Sequence, residues 1–115
     1  MTNELDNLHQ SLTEVNFVIK TQQQLIKDFE KYNLYFPSDF QSNAYSQEAI
    51  EGFIARHIQD IMKEGETRLL QLLYTIDLPE KEFLSLTSRE DFLERLAEKI
   101  LLREALKVYL RSKFS

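Results

Sequence analysis

Cysteine and tryptophan are absent, and glycine, proline and histidine occur only twice each. Without cysteine the chain has no disulfide, no thiolate metal site and no cysteine nucleophile. The longest apolar runs fall far short of the roughly 20 residues that cross a bilayer. The polar, acidic opening Met1-Thr-Asn-Glu-Leu-Asp lacks the basic region and apolar core of a secretory signal. A soluble, cytoplasmic protein is therefore expected. No segment alternates with strand period, and no Gly-rich phosphate loop, nucleophile elbow or zinc-protease motif occurs.

What is present is helical. With 43% apolar and 29% charged residues the chain has the balance of a globular domain, not of a disordered segment, and residues 1–115 are expected to form one domain. Pro37 and Pro79 divide it into three segments. From Asn3, a candidate N-cap, to Tyr32 or Leu34, the residues Leu5, Leu8, Leu12, Val15, Ile19, Ile26 and Phe29 repeat at 3-4 spacing, with Gln22 in the place of one more. Val18, Leu25 and Tyr32 widen the stripe, and Phe17 lies off it, marking a bend, a rim contact or an interaction surface. The aromatics Tyr35, Phe36, Phe40 and Tyr45 of the following loop are expected to tuck onto the end of the bundle; an exposed binding loop is the other reading.

Ser46 caps a second helix whose apolar stripe runs from Ile50 to Ile76. Gly65 on that stripe signals either close helix approach or a break, and a continuous or slightly bent helix over 46–76 is expected. Pro79 suits a first helical position, opening a short helix near 79–85. Thr87 or Ser88, with Glu90 or Asp91 three residues on, reads as a capping box for a last helix reaching Phe114. The expected fold is all-α: an antiparallel bundle of three long helices plus the short connecting helix. The stretch Leu72-Leu73-Tyr74-Thr75-Ile76-Asp77-Leu78-Pro79-Glu80 resembles small bacterial helical proteins, a resemblance that implies no activity.

The last helix changes sides. Phe92, Leu93, Leu96, Ala97 and Ile100 share one face, but Leu101, Leu102, Ala105, Leu106, Val108 and Tyr109 occupy what was the polar side. One core needs one stripe, so this helix meets two neighbours, either within the chain or in a second subunit. The candidate interface is Leu102, Leu106, Tyr109, Leu110 and Phe114, together with Phe17. Charge is asymmetric too: residues 1–88 carry 7 Lys/Arg against 14 Asp/Glu, and residues 89–115 carry 7 against 5. The series Arg95, Lys99, Arg103, Lys107, Arg111 reads first as a solvated ridge complementing the helix dipole. Its functional alternative is phosphate contact by Arg103, Lys107 and Arg111 in a nucleic-acid-associated regulator, which the overall acidity disfavours.

Catalytic and metal chemistry find little support. Asp6-x-x-His9 and His57-x-x-Asp60 place a carboxylate one turn from an imidazole, but the matching glutamates of a dimetal bundle are missing. His57 falls on the apolar stripe, where a buried histidine bonded to one acceptor is the simpler account. No catalytic, cofactor-binding or metal residue is assigned. The expected role is a small non-enzymatic interaction or assembly module, acting as a homodimer or with another protein.

Overall fold

Helical periodicity is realised along the chain, in shorter pieces than the apolar stripes suggest. The computed structural model describes residues 4–114 and the side chains of 5–113, so the expected cap at Asn3 and the Phe114 side chain lie outside the described residues. Six α-helices occur among them: α1 (Glu4–Ser11), α2 (Val15–Glu30), α3 (Gln47–Met62), α4 (Glu66–Ile76), α5 (Glu80–Leu84) and α6 (Phe92–Phe114), with a 3₁₀ turn at Ser38–Gln41. No described residue lies in a strand, and no helix among them is long and apolar enough to cross a membrane.

Two expected long helices are broken. The first ends at Ser11, where the Thr13 hydroxyl donates to the Gln10 carbonyl at 2.7 Å and Glu14 adopts extended backbone. A hydroxyl competing for a helical carbonyl is a weak stop signal; the gain comes from packing, because α1 swings onto α6 and buries Leu8 and Leu12 against Ala105. Phe17, just beyond the bend, is half-buried against that same cluster.

The second helix is not continuous over 46–76. α3 stops at Met62, and Gly65 takes φ +116 and ψ 159 before α4 begins. That backbone region is open essentially to glycine alone, so Gly65 marks a corner. Left-handed residues close both α2 and α4. Asn33 (φ 59) and Asp77 (φ 69) turn the chain so that Leu34 N–H reaches the Phe29 carbonyl at 3.2 Å and Leu78 N–H reaches that of Leu73 at 2.9 Å. These bonds satisfy carbonyls that helix ends leave open.

The short helix α5 falls where Pro79 places it, with Pro79 itself as the cap. The expected box at Thr87 or Ser88 does not form. The chain turns before α6 starts at Phe92, and the Asp91 carboxylate is held by Arg89 at 2.7 Å and by Arg95 at 2.9 Å.

The main core joins Leu25 and Phe29 of α2, Ile50, Ile54, Ile58 and Ile61 of α3, Leu69, Leu72, Leu73 and Ile76 of α4, and Leu96, Ala97, Ile100 and Leu101 of α6. Each such large side chain contributes about 1.5–3 kcal/mol by leaving water. Phe36, Phe40 and Tyr45 of the loop tuck onto this core, Phe36 stacked on Phe40 at 4.5 Å; Tyr35 does not, remaining 61% exposed. Gln22 pins the loop. Its amide donates to the carbonyls of Phe40 and Asn43, and its oxygen accepts from Tyr45 N–H at 2.8 Å.

Candidate functional site

α6 packs against α1, α2, α3 and α4, and its two halves do so differently. The core stripe does not end at Ile100. It continues at 4-3-4 spacing as Glu104, Lys107 and Arg111, and of these Lys107 meets Asp28 and Arg111 meets Gln24 on α2. Beside it a second, apolar stripe begins and meets α1.

The polar line is buried at its inner end, half-buried at Lys107 and exposed at Arg111. Glu104 has no exposed surface, and Asp28 is 3% exposed. Lys107 turns inward: its ammonium donates to Asp28 Oδ2 at 2.8 Å and to the Thr75 carbonyl in the last turn of α4 at 2.9 Å, and lies 3.2 Å from Glu104 Oε1. A cation at a helix C-terminus is favourably placed. The expectation of a solvated ridge is therefore corrected at Lys107, which is drawn inward by the carboxylate that α2 buries. Gln24 extends the chain outward, donating to Asp28 at 3.1 Å and accepting from Arg111 at 2.7 Å.

Two buried carboxyls beside one lysine cannot both be ionised cheaply. Burial pushes Glu104 up to about 9, and its neighbour Asp28 pushes in the same direction against Lys107. Burial also pushes Asp28 upward, but its contacts with Glu104, Lys107 and Gln24 outweigh it and hold Asp28 below the ordinary carboxylate value. Burial lowers Lys107, yet its bonds to the carboxyls win and raise it. Burial and the neighbouring Asp28 thus favour the neutral form of Glu104, whose carboxyl oxygens are buried without a hydrogen-bond partner, while Asp28 is held as a carboxylate by Lys107 and Gln24. Glu104 is fully enclosed and Asp28 nearly so.

His57 is half-buried against Phe29 and Phe36, at 5.8 and 4.9 Å between ring centres. Burial lowers its pKa, a backbone hydrogen bond to Tyr35 partly opposing. Among the described residues no group of three His, Cys, Asp or Glu side chains could hold a metal ion.

The three cations of the phosphate reading are not gathered on one surface. Lys107 is inside; Arg111 lines a cavity of about 430 Å³ with α2; Arg103 lines a separate groove of about 350 Å³ beside α1. The interface candidates are brought together in part. Leu102, Leu106, Tyr109 and Phe17 surround the buried Leu8, Leu12 and Ala105, each remaining half-buried, and Leu110 is half-buried as well. α1 is thus one of the two neighbours the last helix requires. Sequence reasoning missed Gln24, Asp28 and Glu104. The available signal was two polar triplets with core spacing on helices that had to pack.

Comparison with protein-family models, curated proteins and solved structures finds no match to this chain.

Proposed function

We propose that this protein is a small helical interaction and assembly module that pairs with a second copy of itself across α1 and the C-terminal half of α6. The observation that carries this reading is the groove of about 350 Å³ beside α1, where Leu5, Leu8, Leu78, Leu102 and Leu106 lie next to Glu82, Lys99 and Arg103. Leu5 is 51% exposed there, and the Arg103 Nε is buried without an acceptor. A two-fold interface brings one patch against itself. This patch suits that geometry because it holds both signs of charge, and Glu82, which lies 3.6 Å from Lys99 in its own chain, would be shared with Arg103 of the second copy. The same reading takes α1–α2, α3–α4 and α6 as the three segments of an antiparallel bundle. The opposite order of the contacts, Asp28 with Lys107 and Gln24 with Arg111, supports it for α2 and α6.

Sedimentation equilibrium between 1 and 100 μM (roughly the range of modest self-association) tests the reading. The expected mass is twice the 13.7 kDa of one chain. Leu106→Asp, and separately the surface change Leu5→Lys, are expected to return it to one chain while far-UV circular dichroism stays helical. A monomer at every concentration would end the proposal.

A further inference from the structure

We infer that the cavity between α2 and the end of α6 is a binding site for a small ligand carrying two or more phosphate groups. It holds about 430 Å³, within the range of small-ligand pockets. Lys20, Lys27 and Arg111 supply its charge, Gln23, Gln24 and Ser112 its other polar groups, and no carboxylate is among its lining residues. Three cations converging on one cavity stand out in a chain of net charge −5.

The site is built from within. Gln24 is only 6% exposed and is held by Asp28, itself fixed by Glu104 and Lys107. Its oxygen accepts from one Arg111 nitrogen at 2.7 Å, which orients the guanidinium at the cavity and leaves its remaining donors for a ligand. A guanidinium fixed in this way pairs with an oxyanion through two parallel bonds. Across the cavity, Lys20 and Lys27 stand two turns apart on α2, roughly 10 Å along the axis. Neither has an ion-pair partner among the described residues.

Three cations spread over two turns of α2 and the facing end of α6 offer more charge than one phosphate neutralises, and they suit a run of two or three. The α6 C-terminus opposes an anion with about half a negative charge, which three full positive charges outweigh. The chain's overall acidity disfavours a long polyanion running beyond the cavity, so the ligand is a compact one.

Isothermal titration with inorganic tripolyphosphate at 20 mM salt tests the assignment, with orthophosphate and a single-stranded oligonucleotide as comparison probes. Tripolyphosphate is expected to bind at least ten-fold more tightly than orthophosphate and to weaken as salt rises. The double variant Lys20→Glu/Lys27→Glu, at exposed positions that leave the fold intact, should lower affinity more than ten-fold. Arg111→Ala should lower it by a similar factor, and Lys63→Glu on the far side should leave it unchanged. No heat or chemical-shift change with tripolyphosphate, equal loss in the Lys63→Glu control, or tight binding of the oligonucleotide alone would each overturn the proposal. None of these outcomes depends on whether the protein dimerises.

Discussion

Replacing Glu104 by glutamine should make the protein more stable at neutral pH, although it removes a charged residue type from a buried ion-pair cluster. Glu104 titrates near 9 in the folded chain against 4.5 in an ordinary setting. Between those values the native state binds a proton that the unfolded chain releases, so unfolding free energy falls as pH rises, by up to about 1.4 kcal/mol per unit. At pH 7 the accumulated cost is about 3 kcal/mol. Glutamine has the shape of the neutral acid, can offer one N–H to the neighbouring Asp28, and does not titrate. Its second N–H lacks an acceptor, which costs about 1 kcal/mol. The expected net gain is about 2 kcal/mol at pH 7, near zero at pH 5, and larger at pH 8. Asp28, lowered in the fold, loses its contribution only as pH falls below the ordinary 3.8, and Lys107, raised, loses its own only above 10.5. His57, lowered by burial, acts in the opposite sense below 6.5 and cancels in the difference between variant and parent. Urea denaturation followed by circular dichroism at pH 5, 6, 7 and 8 gives both curves. Parallel curves, or a parent whose stability rises from pH 7 to 8, would refute a buried neutral Glu104.

Two further substitutions probe the corners. Gly65→Ala should destabilise by about 1–3 kcal/mol through backbone strain alone, since an added Cβ meets nothing within 4 Å; a continuous helix over 46–76 would instead gain about 1 kcal/mol, so the sign from chemical denaturation decides. Gln22→Leu removes three hydrogen bonds from the aromatic loop. It should cost about 3 kcal/mol and speed exchange of the Tyr45 amide proton at least ten-fold, and an unchanged exchange rate would show that the loop holds without it.

The helical class, the short helix after Pro79, the Ser46 cap and the folding-in of Phe36, Phe40 and Tyr45 were legible because each rests on a local signal. Periodicity, a fixed proline φ, a side-chain acceptor and four closely spaced aromatics need no knowledge of the rest of the chain. The bend after Ser11 was legible only as one of three readings of the displaced Phe17. Leu5, Leu8 and Leu12 continue the α2 stripe in register, and only the vacant second stripe of α6 draws α1 away. Gly65 was ambiguous for a related reason: glycine permits both a helix and the backbone at φ +116, and tertiary contacts choose. At the candidate site, Lys107 reads with Arg95, Lys99, Arg103 and Arg111 as a solvated ridge when polarity is taken for exposure, and Glu104 is not singled out; Arg95 and Arg111 are exposed as that reading expects. The spacing of Glu104 and Lys107 from Ile100 was that of the core, and Gln24 and Asp28 kept the same spacing on α2. Only pairing the two helices shows that Lys107 and Glu104 turn toward the Asp28 that α2 buries.

Intermolecular nuclear Overhauser effects in a one-to-one mixture of ¹³C-labelled and unlabelled protein test the assembly reading most directly. Cross-peaks between copies from the methyl groups of Leu5, Leu102 and Leu106 are the predicted result. A dimer whose intermolecular contacts lie elsewhere, or no intermolecular contacts at high concentration, would contradict it.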